Sequence, residues 1–169
     1  MKPRLPDSHE DTARNADWVL LAFRLPREPS TPRIAVWRKL KRLGAAQLLD
    51  GLVALPLDNR NREQLEWVAD DVREAGGEAT IWIGSLGSAA QERQLAGRMR
   101  ETVAAEYRTL IEEAEALRLQ VAGKRRRSLA RLRRELRRIR LRDYFPPEER
   151  ELAQEALDEL AASFEEVAS

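Results

Sequence analysis

The sequence predicts an α+β fold, in which a ferredoxin-like β-α-β-β-α-β sheet domain is followed by an all-helical C-terminal extension. Three apolar segments, 18–25, 46–58 and 79–86, alternate with two segments whose apolar residues recur every three or four positions. The middle apolar segment contains Asp50-Gly51, a dipeptide typical of a tight hairpin turn. After Gly87 the helical periodicity takes over for the rest of the chain, which indicates the extension.

The first strand is predicted at residues 18–25, WVLLAFRL. Because this segment is nearly all apolar, we expect both of its faces to be covered and the strand to lie centrally in the sheet. A helix over 30–44 follows, capped by Ser30 or Thr31 and ended by Gly44. Its predicted buried stripe consists of Val36, Trp37, Leu40 and Leu43.

Segment 46–58 is expected to form two short strands around Asp50-Gly51, or alternatively one strand with a glycine bulge. Asn59 or Asn61 is expected to cap the second helix, because an asparagine side chain can accept a hydrogen bond from a free N–H of the first turn. The inward-facing residues of that helix are predicted to be Leu65, Val68, Val72 and Ala75.

The closing strand is predicted at 79–86, with Ala79, Ile81 and Ile83 on one face and Thr80 and Trp82 on the other. Tryptophan is most often a core residue, so Trp37 and Trp82 are predicted to be buried. Trp67 lies off the apolar stripe of its helix and is expected to be partly exposed.

Three helices are predicted after Gly87. The first is a long amphipathic helix whose apolar stripe runs from Leu95 to Val121 and which Gly123 is expected to end. A basic helix follows at 124–142, and an acidic helix begins after Pro146-Pro147. We therefore divide the chain into a disordered leader (1–16), a ferredoxin-like α/β domain (17–87) and a helical extension (88–169).

Composition argues against several classes of function. The sequence has no cysteine and one histidine, so it offers neither a thiolate nucleophile nor a cysteine- or histidine-based metal centre. Small ferredoxin-like nucleases hold a metal with an acidic residue at the end of the first strand, where this chain has Arg24 and Leu25. We therefore expect no enzymatic activity and no cofactor. No run of apolar residues reaches the length of a membrane span, so a soluble cytoplasmic protein is expected.

The net charge of +1 hides a strong segregation of charge. Residues 124–142 carry eleven basic groups and one acidic group, whereas residues 148–166 carry eight acidic groups and one arginine. Basic clusters of this kind are the electrostatic signature of contact with nucleic acid phosphates. Alternatively, the basic and acidic helices pair with each other in a structural or interaction module, or converging arginines bind a small oxyanion.

Several short motifs occur together along the sequence. A hydrophobic strand ends in Leu25-Pro26, and Arg33 precedes the sequence Trp37-Arg38-Lys39-Leu40-Lys41. Gly44-Ala45 and the hairpin Leu49 to Pro56 follow, and Arg142-Asp143-Tyr144-Phe145 comes after the long helices. Over about residues 17–150 this combination resembles the N-terminal domain of the chromate-resistance protein ChrB, and the fold also looks related to the middle domain of the phenylacetate-degradation repressor PaaX.

This resemblance implies a cytoplasmic transcriptional regulator that binds promoter DNA as a dimer and releases it when chromate arrives. We predict phosphate contacts from the two basic helices, through Arg33, Arg38, Lys39, Lys41, Arg42, Arg126, Arg127, Arg134 and Arg138. A homodimer is also predicted from the residues themselves. The free face of the sheet and the stripe Leu95–Val121 together present more apolar surface than this chain alone is expected to cover.

Overall fold

The computed structural model of the protein describes residues 18–120 and 122–166, so the predicted leader and Val121 lie outside the described residues. It confirms the predicted α+β class, with four strands followed by a helical extension. The elements are β1 (Trp18–Arg24), α1 (Thr31–Leu43), β2 (Ala46–Leu49), β3 (Leu52–Pro56), α2 (Asn59–Glu74), β4 (Glu78–Gly84), α3 (Ala89–Arg118), α4 (Ala122–Leu141) and α5 (Glu149–Glu166).

The four strands form an antiparallel sheet in the order β2-β3-β1-β4, so β1 is central as predicted. The predicted hairpin is present, with its turn at Asp50-Gly51. Gly51 has a φ of +76°, and a Cβ atom there would lie 2.3 Å from Phe23 O. Only glycine fits this turn, because it tolerates both the left-handed backbone and the close approach of β1.

The two faces of the sheet are covered by different helices. Val19 and Leu21 of β1 pack with α1 and α2 residues in one core. Trp18 of β1 packs with Leu95 and Met99 of α3 on the opposite face. Because α3 crosses only part of that face, Trp82 on the edge strand β4 stays 60% exposed. The prediction that Trp82 is a core residue was therefore wrong.

Trp37 of α1 and Trp67 of α2 differ in their burial. Trp37 is partly buried against the first core, with its ring centroid 5.4 Å from that of Phe23. Trp67 is 56% exposed, as its place off the apolar stripe predicted.

A third core lies between α3, α4 and α5. Tyr107, Leu110 and Leu117 of α3 pack there against leucines of the other two helices. The apolar stripe that had suggested a dimer is thus covered within the chain from Leu95 to Leu117, and that argument for a homodimer no longer holds. The long helix also ends at Arg118, earlier than expected, and Gly123 lies inside α4.

The cap of α2 corrects another expectation. Asp58, and neither Asn59 nor Asn61, is the N-cap residue, and its Oδ1 accepts a hydrogen bond from Asn61 N at 2.6 Å. Asn61 is instead buried, 2% exposed, and donates from Nδ2 to Pro56 O at 2.9 Å. The aspartate directly before the asparagines takes the cap position because its backbone is already extended there.

We expect the Asp58→Ala substitution to lower the free energy of unfolding by about 1 kcal/mol, since an N–H of the first turn of α2 loses its partner. Urea denaturation measures this change. Ser30→Ala at the N-cap of α1 is the matched control, because the Ser30 side chain makes no capping bond within the described part of the chain. Equal losses in the two variants would contradict the assignment of the Asp58 cap.

Candidate nucleic-acid interface

An open groove of about 1300 Å³ lies between α1, β2, α3 and α4. Cationic side chains of α1, α3 and α4, together with one directly after α4, line it: Arg38, Lys39, Lys41, Arg42, Arg98, Arg138 and Arg142. Two carboxylates, those of Glu106 and Glu135, also face it. Five of the nine predicted DNA-contacting residues thus come together in one concave, strongly positive surface, although Arg38 and Arg138 are 100 positions apart in the chain.

Small or apolar residues also line the groove: Ala35, Ala45, Ala46, Met99 and Val103. Cationic side chains nevertheless outnumber the two carboxylates in the lining. An open groove of this charge fits an elongated polyanion better than it fits a small apolar ligand.

The α1 side of the groove carries most of the uncompensated charge. Arg38, Lys41 and Arg42 are exposed and form no ion pair with any residue that the structure describes. Lys41 and Arg42 also lie in the last turn of α1, where positive charge interacts favourably with the helix dipole.

Two further α1 residues that were predicted to contact phosphate already interact with other parts of the chain. Lys39 lines the groove but forms an ion pair with Asp71 of α2. Arg33 is half-buried, donates to Pro26 O at 3.3 Å, and is absent from the described lining of the groove. The first turn of α1 is therefore a weaker candidate for phosphate contact than its last two turns.

Two arginines in the groove were missed in the sequence. Arg98 of α3 donates to Gln47 O at 2.9 Å and so fastens α3 to β2. Arg142 pairs with Glu106, with its Nε also 3.4 Å from Glu106 Oε1. Arg142 belongs to the Arg-Asp-Tyr-Phe motif, which could have marked it. No sequence motif marked Arg98, because the pattern of its helix indicated only which residues pack in a core.

The basic surface continues from the groove along α4. Arg126, Arg127 and Arg134 are exposed, and no described residue forms an ion pair with them. Arg127, Arg134 and Arg138 follow one another on the side of α4 opposite its buried leucines, over roughly 16 Å at 1.5 Å per residue. Arg138 joins this row to the groove, where it lies 3.3 Å from Glu135.

Two carboxylates of the acidic helix α5 form ion pairs with α3. Glu149 pairs with Arg108 at 2.7 Å, and Glu159 pairs with Arg118 at 2.7 Å. The α4 residue Arg131 in turn pairs with Glu113 of α3. Within the described residues, α5 and α4 share an apolar core and the bond from Arg140 to Gln154, but no ion pair. The described carboxylates of α5 therefore form no ion pair with the exposed arginines of α4.

The segment 142–145 holds α4 against α1. Tyr144 Oη donates to Leu43 O at 2.7 Å and lies 3.2 Å from Asn61 Oδ1. Burial raises the pKa of the Tyr144 hydroxyl, so it stays protonated as the donor. Tyr144 thus connects the end of α1 and the start of α2 with the segment that follows α4.

A second tyrosine anchors the same segment to α3. Tyr107 Oη donates to Asp143 Oδ2 at 2.8 Å, and Arg150 lies 3.6 Å from the same carboxylate oxygen. Burial, together with this bond to Asp143, raises the pKa of Tyr107. The hydroxyl is therefore a permanent donor at neutral pH, and the Arg-Asp-Tyr-Phe motif has a clear structural role.

The described residues contain no cluster of three or more His, Asp or Glu side chains arranged to hold a metal ion. They also contain no helix long and apolar enough to cross a membrane.

Comparison with known proteins adds two matches. The model of the family described as "Protein ChrB, N-terminal" matches residues 33–169. Protein ChrB of Cupriavidus metallidurans is 31% identical over 148 residues, which cover 85% of this chain and 44% of that relative. The chain thus spans less than half the length of the relative it matches. No solved structure matches the chain.

Proposed function

Because the chain belongs to the ChrB family by its N-terminal domain, a family linked to chromate resistance, we propose that it is a transcriptional regulator that binds promoter DNA through the groove and the outer face of α4. Chromate is the effector that releases the DNA, and the protein acts in the cytoplasm by binding, without catalysis. The observation that carries this proposal is the convergence of α1 and α4 arginines on one positive surface.

The energetics favour phosphate as the partner of this surface. Arg38, Lys41 and Arg42 have no described carboxylate to satisfy them, so they are hydrated in the free protein and available to a polyanion. Each lysine or arginine that neutralises a phosphate releases condensed counterions, which drives association at low salt. The row Arg127, Arg134 and Arg138 then extends the contact beyond the groove. These contacts position the protein on DNA and carry no sequence information by themselves.

The competing interpretation, an interaction module held by pairing of the basic and acidic helices, has less support. The α5 carboxylates Glu149 and Glu159 are engaged with α3. Nonpolar packing by residues such as Leu132 and Leu157 accounts for the association of α4 with α5. That packing leaves the outer face of α4 free for another partner.

A salt titration tests the proposal. With three contacts in the groove and three along α4, we expect the logarithm of the affinity for the duplex upstream of the gene to fall with the logarithm of salt concentration with a slope of about −5. Fluorescence anisotropy with a labelled duplex measures it, and a scrambled duplex of equal length separates the sequence-specific part. A slope near zero, or no binding at low salt, would refute DNA binding by this surface.

A further inference from the structure

The two edges of the sheet differ in how their free backbone groups are protected. The β2 edge is four residues long, has a register shift between Gln47 and Leu49, and presents a Gln47 carbonyl that Arg98 already occupies. The β4 edge is seven residues long, EATIWIG, and continuous, with no proline, lysine or register shift. Edge strands are usually protected from pairing with other chains by their shortness, by bulges or by charged side chains, and β4 has little of this protection.

The hydrogen-bonding pattern shows which groups of β4 face outward. Phe23 N donates toward β3, to Gly51 O at 2.7 Å, so the even-numbered residues of β1 direct their backbone groups toward β4. Since Leu20 lies opposite Trp82, the groups of Trp82 point inward and those of Ile81 and Ile83 point outward. Arg73 donates a hydrogen bond to the outward carbonyl of Ala79 at 3.1 Å, so the open part of the edge is the segment 81–83.

The side chains beside this open segment are apolar. Trp82 is 60% exposed on the face that α3 leaves uncovered, and Ile83 is 49% exposed on the other face. Within the described part of the chain, the outward N–H and C=O groups of Ile81 and Ile83 have no hydrogen-bond partner. Unpaired strand groups flanked by exposed large apolar side chains are the features of a site for strand addition.

We propose that a second copy of this chain adds to this edge, so that two β4 strands pair antiparallel around a two-fold axis at Trp82 and form one eight-stranded sheet. In that register Ile81 of each copy exchanges both backbone hydrogen bonds with Ile83 of the other. Trp82 then lies opposite Trp82 of the second copy in a non-hydrogen-bonded pair, where side chains approach most closely, with Cα atoms about 4.5 Å apart.

In this register the edge is complementary to itself, which favours another copy of the same chain as the added strand. An aromatic residue placed opposite itself forms a favourable cross-strand pair, and both tryptophans leave water. Glu78 falls opposite Leu86 of the second copy, so no like charges meet across the axis. The pairing ends at Thr80, because Arg73 already occupies the next outward carbonyl, that of Ala79. A symmetric contact of this kind closes as a dimer and does not extend further.

Charge substitutions at Trp82 test this arrangement, independently of DNA. Trp82→Glu and Trp82→Lys each place like charges across the axis, and each is expected to raise the dimer dissociation constant at least about tenfold. An equimolar mixture of the two variants is expected to regain the dimer, because Glu then faces Lys. Sedimentation velocity over a concentration series measures all three samples. Trp67→Glu is the matched control, since Trp67 on α2 is exposed to a similar extent, and this variant should dimerise as the unmodified chain does.

Each contrary result overturns the proposal. A chain that stays monomeric at high concentration has no such interface, and dimers that persist in Trp82→Glu use a different surface. Two monomeric variants whose mixture stays monomeric would exclude the two-fold contact at Trp82. Circular dichroism of each variant shows whether the fold is intact, which we expect because the Trp82 side chain lies mostly in solvent.

Discussion

Replacement of Arg38, Lys41 and Arg42 by alanine is expected to weaken DNA binding by about two orders of magnitude at low salt and to make the salt slope less steep by about 3. The three side chains are exposed at the rim of the groove and have no ion-pair partner among the residues that the structure describes. Their removal therefore eliminates phosphate contacts without breaking an internal contact. Anisotropy titrations of the triple variant at several salt concentrations measure both quantities.

A second triple variant provides the control for charge. Arg60, Arg93 and Arg100 are also exposed but are not part of the groove lining that the structure describes. Their replacement by alanine changes the net charge by the same amount and should reduce affinity only slightly, through the general field of the protein. Similar losses of affinity in the two triple variants would show that the groove has no special part in binding.

The second large effect is expected at Gly44, where the Gly44→Ala substitution should lower the free energy of unfolding by about 3 kcal/mol. Gly44 has a φ of +74°, which an alanine adopts only with strain. A Cβ atom there would lie 2.7 Å from Arg142 Cβ and 3.1 Å from Arg142 O, so the end of α4 must also move away from α1. Urea denaturation measures the loss.

Gly97→Ala is the natural comparison for this substitution. Gly97 lies within α3, and a Cβ atom there would have nothing within 4 Å among the surroundings that the structure describes. Alanine is the better helix former, so this variant should gain up to about 1 kcal/mol. A Gly44→Ala protein as stable as the unmodified chain would show that α1 and α4 do not meet as closely as the structure places them.

Much of this architecture could be predicted from local patterns. The order of strands and helices follows from the spacing of apolar residues, and the hairpin follows from Asp50-Gly51, because both depend on neighbours in sequence. The basic character of α1 and α4 can also be recognised directly in the sequence. The cap of α2 was predicted at Asn59 or Asn61, one or three residues too late, since Asp and Asn are chemically similar caps and the backbone conformation decides between them.

The groove itself could not be predicted. Its assembly depends on the contact of Arg98 with Gln47 and on the contact of Tyr144 with Leu43, which join segments about 50 and 100 residues apart. No periodicity encodes such contacts. Trp82 illustrates the same limit, because its exposure depends on how far α3 extends across the sheet. The inference of a dimer from the apolar stripe of α3 failed for the same reason, because other elements of the same chain bury that stripe.

The 30-residue helix α3 has a consequence for how the chain unfolds. Its first half supplies Leu95 and Met99 to the core on the sheet, and its second half supplies Tyr107 and Leu117 to the core of the three helices. Melting either half would leave one of these cores open to water, and a continuous helix transmits fraying along its length. The sheet and the helices therefore behave as one cooperative unit, and a denaturant should unfold them together in a single transition.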